Sequence, residues 1–205
     1  NLDINIQDWQ AFALQDGTPV EVVAFTQMRP EILTDFEPTA EVTNSASPRT
    51  LSEYGRILND GFLDALTSNE LSGFDSKNMQ NSSEMVGMLY ELTAGAVGHR
   101  WAPEIVGFIK VAKEMVDPKT VLKSPMQVTL PEKRDALIML TAAVANAATK
   151  STVANFAKFV NRLSKEMVVF AWEFAITANP ELRRTKEFTT EYLVKHEDVL
   201  IQHDV

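Results

Sequence analysis

Apolar residues along the chain recur at spacings of three and four, the period of one helix face, and no stretch sustains the strict alternation of a half-buried strand. The pattern therefore predicts an all-α fold. Asp8 to Gln15 reads as a first short helix with Trp9, Phe12 and Ala13 on one side, stopped near Gly17. Thr18-Pro19-Val20-Glu21 is a start signal. Thr18 is placed to cap, Pro19 suits the first helical position, and Glu21 stands three residues after Thr18 as in a capping box. This second helix runs to about Met28, with Val22, Val23, Phe25 and Thr26 covering its faces. Pro30 interrupts it, and Glu31 to Leu33 adds one more turn. Residues 34–47 form a loop, marked by Asp35, Pro38 and Thr43-Asn44-Ser45.

Ser47-Pro48-Arg49-Thr50 opens the next helix, which is expected to reach about Leu66 with Leu51, Tyr54, Leu58, Phe62, Ala65 and Leu66 on one face. The polar stretch from Thr67 to Ser83 reads as a connection holding a short helix. Glu84 to Leu92 is helical, with Met85, Met88, Leu89 and Leu92 on a shared face, the methionines as gap-filling core. The two glycines of Thr93 to Gly98 predict a tight turn. A helix from His99 to Val116 follows, with Trp101, Ile105, Phe108, Ile109, Ala112 and Met115 at helical spacing, ended by Asp117-Pro118. Residues 117–130 read as irregular, with Thr129 as the cap of a helix over 132–147. Ser151 to Leu163 is helical with Val153, Phe156, Ala157 and Val160 inward. Lys165 to Ala178 is apolar nearly all round, the mark of a helix buried on most faces. The tail from Pro180 fits one or two short helices, carrying Phe188, Tyr192, Leu193, Val199, Leu200 and Ile201.

Composition narrows the function. The 205 residues are 45% hydrophobic and 23% charged, with a net charge of −9. That balance argues against non-specific nucleic-acid binding, which runs on phosphate neutralisation. No apolar run approaches a membrane span, no signal peptide is visible, and the absence of cysteine leaves no disulfide framework. The expected compartment is the cytoplasm. The chain begins with Asn rather than Met, as expected of a processed, trimmed or partial product.

The residue with the clearest chemical content is Arg49. A cation in the first turn of a helix sits at the positive end of the helix dipole. An anion placed there would satisfy free backbone N–H groups and the guanidinium together. The simpler account of this one residue is an Arg at an exposed junction with its head in water. Other chemistry is sparse. The phosphate-loop pattern G-x-x-x-x-G-K-[ST] is absent, and so is an apolar strand ending in Asp-Glu to hold magnesium. There is no Gly-x-Ser-x-Gly elbow and no His-Glu-x-x-His helix. His196 and His203 are seven apart and would share a helix face, but a solvated tail is the simpler account than a metal site. His99 and Arg100 sit near Glu104, which suggests a local ion pair or a partner contact.

Val20 to Leu33, with its Arg29-Pro30-Glu31-Ile32-Leu33 ending, then Phe36 and Ser47-Pro48-Arg49-Thr50, resembles the lid of MoxR-like AAA+ ATPases of bacteria and phage. In that family an Arg-Pro-Glu-x-Leu helix precedes a Ser/Thr-Pro-Arg element. Its arginine is the sensor-two residue that contacts ATP phosphate, and Arg49 matches it. Asp8-Trp9-Gln10-Ala11-Phe12-Ala13 looks like the Trp-containing helix that begins the same lid. Ala94-Gly95-Ala96-Val97-Gly98 and the helix through Phe108 resemble the later lid helices. Leu130-Pro131, Asn161-Arg162-Leu163 and Glu166 look like the family's helical C-terminal extension.

The resemblance implies a lid and a helical extension; Asp117-Pro118 and the irregular run to Pro131 place the boundary, giving a lid over residues 1–116 and an extension over 117–205 expected to lie against it. Ser47 and Arg49 would be the nucleotide contacts. ATP and magnesium are implied for the parent protein, with no cofactor held by this chain alone. The partners implied are an N-terminal AAA+ core and the neighbouring subunits of a ring, usually of six, relaying nucleotide state to an unidentified client. The P-loop core, the arginine finger and the magnesium-binding positions of the family are absent from this sequence, so the chain by itself is expected not to hydrolyse ATP. The alternative is a free-standing acidic helical interaction or adaptor domain, for example phage-encoded, in which Arg49 is a surface residue.

Overall fold

A computed structural model describes residues 4–35, 44–72, 74 and 83–196. Phe36 and most of the 34–47 loop, most of the polar run before Glu84, and His203 with Val199, Leu200 and Ile201 lie outside the described residues. Among the described residues the protein is all-α. The chain divides into two compact units, Asn1–Met115 and Val116–Val205.

The first unit holds α1 (Ile6–Gln15), α2 (Val20–Met28), a 3-10 turn (Pro30–Leu33), α3 (Pro48–Ile57), α4 (Leu63–Ala65), α5 (Ser68–Ser72), α6 (Glu84–Val97) and α7 (Ala102–Lys113). Helix α1 starts earlier than its apolar pattern suggests because Asn5 accepts from the backbone N–H groups of Gln7 and Asp8. Its buried arc runs through Trp9, Gln10 and Ala13, and Phe12 falls outside it, 51% exposed. The polar Gln10 is tolerated inside because its amide donates to Thr26 Oγ1 at 3.0 Å and to Gln27 Oε1 at 3.3 Å. Helix α2 is the centre of the unit. Val22, Val23, Ala24, Phe25 and Thr26 are all buried, and it packs on α1 and α7. The capping box expected from Thr18 and Glu21 does not form. Thr18 is buried, and its methyl fills the space beside Gly55, where a Cβ would lie 2.5 Å from Thr18 Cγ2.

The α3 face also departs from a single helix. The helix is interrupted over Leu58–Phe62, where Gly61 takes φ +94°, a conformation that favours glycine. The phase shifts there, so Leu63 is buried, Phe62 is half-buried and Ala65 is exposed. Helix α6 runs straight through the predicted turn to Val97. Of its two late glycines only Gly98, at φ +86°, ends it, whereas Gly95 is helical. The α6 core face is Val86, Leu89, Thr93, Ala94 and Val97, which leaves Met88 51% exposed rather than in the core. Helix α7 begins three residues after His99, because residues 98–101 make a turn and Pro103 fixes the first helical turn.

The second unit holds α8 (Pro118–Lys123), α9 (Arg134–Ala147), α10 (Val153–Val160), α11 (Lys165–Ala178), a 3-10 turn (Pro180–Arg184) and a π-helical turn (Phe188–Leu193). Residues 117–130 are not wholly irregular. Asp117 caps α8 by accepting from Lys119 N, and Pro118 occupies its first position, so the Asp-Pro pair opens a helix as well as closing the stretch before it. Thr129 does not cap α9. Its N-cap is Lys133, and the segment before it is drawn away by Arg162, which donates to the carbonyls of Pro125 and Val128. Helix α11 packs chiefly on α9 and buries Val168, Ala171, Trp172, Phe174, Ala175 and Ile176. Trp172 is fully enclosed, edge-on to Phe156 at 4.9 Å and stacked on Tyr192 at 5.8 Å.

Two glycine substitutions should act with opposite sign. Gly55→Ala drives a methyl into Thr18 and is expected to cost about 1–3 kcal/mol. Gly95→Ala adds a methyl where, among the described residues and apart from its own helix backbone, no atom lies within 4 Å, and should stabilise by about 0.5–1 kcal/mol through helix propensity. In the second unit Trp172→Ala should cost about 3–5 kcal/mol. Denaturant titration followed by far-ultraviolet circular dichroism checks all three.

Candidate functional site

The site is built from the first turn of α3. Ser47 is extended (φ −154°, ψ 163°) and Pro48 takes the first helical position. Ser47 Oγ accepts from Thr50 N at 3.2 Å, and Thr50 Oγ1 accepts from Ser47 N at 2.9 Å. This is a reciprocal box in which a threonine stands where glutamate or glutamine is usual. The Ser47 hydroxyl is thus engaged by its own helix. Pro48 has no N–H, so the Arg49 N–H is the first-turn donor left without an acceptor among the described residues.

The Arg49 side chain is 87% exposed. Its Nε lies 3.1 Å from Glu53 Oε1, one turn along the same helix. An exposed pair of this kind is weak and screened by salt, so it does not consume the guanidinium. No buried carboxylate or carbonyl holds Arg49 among the described residues.

What is rigid is the platform beneath it. The Trp9 indole N–H donates to Pro48 O at 3.0 Å and to Ser52 Oγ at 3.3 Å, and Ser52 Oγ donates to Pro48 O at 2.9 Å. These bonds pin the α3 N-terminus to α1. At the other end Arg56 grips Asp16 with two bonds, Nε to Oδ2 at 2.8 Å and Nη2 to Oδ1 at 3.1 Å. Between them Tyr54 OH donates to Thr93 Oγ1 at 2.7 Å, and Thr93 Oγ1 donates to Leu89 O at 2.6 Å, which fastens α3 to α6 inside the core. Burial pushes the Tyr54 phenol above its ordinary range, only partly offset by the bond to Thr93, so it stays a neutral donor.

A second polar cluster joins the Arg29-Pro30-Glu31 turn to the start of α7. Asp35 accepts from Arg100 Nη1 at 2.7 Å and from the Trp101 indole N–H at 2.6 Å. Glu104 takes Arg29 Nε at 2.8 Å. The local pair expected between Arg100 and Glu104 is therefore split between two longer-range partners, Asp35 and Arg29. Asp35 reads in the sequence only as a loop marker. Its signal lies in three-dimensional proximity, not in spacing. His99 lies beside the Tyr90 ring, 6.2 Å between centroids. Among the described residues no group of three or more His, Cys, Asp or Glu is placed to hold a metal ion. The second histidine of the His196–His203 pair lies outside them.

Three outcomes follow from these contacts. Tyr54→Phe leaves Thr93 bonded to Leu89 and should cost about 0.5–1.5 kcal/mol, whereas Thr93→Val strands the buried Tyr54 hydroxyl and should cost about 1–3 kcal/mol. Arg49→Ala should change stability by less than about 0.5 kcal/mol, as for an ordinary surface substitution. Urea denaturation of the three variants measures each difference.

No helix among the described residues is long and apolar enough to cross a membrane. No protein-family model matches the chain, and no curated protein or solved structure matches it either.

Proposed function

We propose that the first unit is a nucleotide-sensing lid, of the kind its sequence resembles in MoxR-like AAA+ ATPases, in which Arg49 meets a phosphate bound by another part of a ring assembly. The supporting observation is the contrast between a rigid helix start and an uncommitted arginine. The first turn of α3 is held by Trp9 and the Ser47–Thr50 box, while the Arg49 head stands 87% exposed with only Glu53 beside it among the described residues. The platform fixes the helix start that carries the guanidinium, and the exposed side chain would be ordered by the phosphate it meets through charge-assisted bonds. Ser47 would act by shaping the helix start, because its hydroxyl is already bonded to Thr50. ATP and magnesium would be held by the AAA+ core, and this chain would relay its state to neighbouring subunits.

A second function, an acidic helical interaction module, is favoured by a different observation: the outward face of α6 carries the exposed Met88. The two differ in what they require of Arg49.

The test is to express the whole open reading frame that encodes residues 1–205 and to measure ATP turnover and melting temperature together. If the frame includes a P-loop, Arg49→Ala should lower turnover markedly at unchanged melting temperature. Arg49→Lys should restore only part of it, because an ammonium lacks the planar two-point fork. Normal turnover in Arg49→Ala, or a frame with no P-loop, overturns the sensor role.

A further inference from the structure

Helix α6 has an outward face with an unusual composition for a surface. Its inward arc, Val86, Leu89, Thr93, Ala94 and Val97, is buried. At about 100° per residue, Glu84, Gly95 and Met88 fall within about 40° of one another at the centre of the opposite arc, with Glu91 beyond Glu84 on one side and Leu92 and Met85 beyond Met88 on the other. Met88 is 51% exposed, Met85 and Leu92 are half-buried, and the two glutamates are exposed. The helix carries no lysine or arginine. A solvent-facing arc is ordinarily polar throughout. Here half of it is apolar, and its centre holds a helical glycine where, among the described residues and apart from its own helix backbone, no atom lies within 4 Å of where a Cβ would stand. Gly95 weakens α6 and receives no packing contact from the described residues in return. An open glycine, with Leu92 one turn before it and the flexible Met88 two turns before it on the same arc, is a surface that lets a second helix approach closely and fit its side chains.

The asymmetry of the two edges selects the occupant. A second copy docked through this face by a twofold axis has two choices. Antiparallel packing sets the Glu84–Glu91 edge against its own copy, so like charges meet. Parallel packing sets carboxylates against Met85 and Leu92. Neither is favourable, and the net charge of −9 adds to the repulsion. A helix from a different protein, with an apolar stripe bordered on one side by lysine or arginine, satisfies both edges at once. We propose that the outer face of α6 is the docking site for such a basic amphipathic helix of a partner protein, gripped by Met85, Met88 and Leu92 over Gly95 and steered by Glu84 and Glu91.

The probe is a synthetic amphipathic helix of leucine, alanine and lysine with its lysines along one edge, beside a counterpart in which every lysine is glutamate. Binding to the full chain is titrated and mapped by amide chemical shifts. The lysine peptide should bind, move the amides of α6 and weaken with added salt, while the glutamate peptide should not bind. Gly95→Leu fills the central gap and should weaken binding about tenfold or more. Met88→Lys should do the same, and it keeps the helix intact because the new ammonium pairs with Glu84 one turn earlier. Three results overturn the proposal: no binding of the lysine peptide, binding that is indifferent to both substitutions with shifts elsewhere, or a dimer of the wild-type chain in sedimentation that Gly95→Leu dissociates. The last would assign the face to a second copy.

Discussion

The register of α3 is the constraint on which the first unit depends. Its ten residues are held at three levels, by the Trp9 indole at the N-terminus, by the buried Tyr54–Thr93–Leu89 chain in the middle, and by the Asp16–Arg56 grip near the C-terminus. A slip of one residue would rotate the helix by about 100° and break all three. The middle link matters most, because it lies in a medium where an unpaired hydroxyl has no water to turn to. The close approach of Thr18 to Gly55 then sets the turn before α2 against the same helix. The Trp9, Tyr54 and Thr18 contacts act on the inward side, whereas the Asp16–Arg56 pair lies at the surface. The outward side, with Arg49 and Glu53, is exposed.

The second unit solves its packing in a different way. It relies on aromatic enclosure of one side chain rather than on a chain of hydroxyls. Trp172 is edge-on to Phe156 and Phe188 and stacked on Tyr192, and the C-terminal π-helical turn supplies two of these rings. That turn is fastened from outside. Tyr192 OH donates to Glu173 Oε1 at 2.6 Å, and Asn161 donates to Glu191 at 2.9 Å. Lys195, then Asn161, hold the Glu191 carboxyl below its usual range, so it is an anion wherever these contacts exist. The Trp172 indole N–H is buried without an acceptor among the described residues. An orphaned donor of this kind costs about 1–3 kcal/mol, against the larger gain from burying the rings around it.

The all-α class and the α2, α10 and α11 cores were legible because burial acts on periodicity, and Val22, Phe25, Phe156, Val160 and Trp172 announce it directly. What escaped was punctuation and phase. Thr18 and Thr129 have the chemistry of caps, yet packing against Gly55 and the pull of Arg162 on two carbonyls put them to other use. Gly95 and Gly98 read alike in one dimension, and only the three-dimensional path separates the helical glycine from the left-handed one. Gly61 shifted the stripe after Leu58 by inserting a break that no apolar spacing records. The partners Asp35 and Arg100 are far apart in sequence, and nothing local links them.

The candidate site divides along the same line. Ser47 and Pro48 were legible because they serve the helix, and a cap has a local signature that folding enforces. Arg49 was legible only as a mild conflict with the helix dipole, since nothing in the fold needs a cation there. In sequence the Met85 and Met88 positions read as core, because methionine at helical spacing is core whenever the helix turns that way. In the fold Val86, Thr93 and Val97 own the inward arc, which turns Met88 outward. A residue retained by packing leaves a periodic trace, and a residue retained for an external partner leaves a mismatch between type and environment. Arg49 and Met88 are both mismatches of that sort, one a cation where the dipole disfavours it, the other an apolar side chain beside an open glycine in water. Exposure by itself is no such mismatch, since Phe12 and Ile57 of the same unit are also exposed apolar side chains; what sets Arg49 and Met88 apart is the residue type against its immediate surroundings.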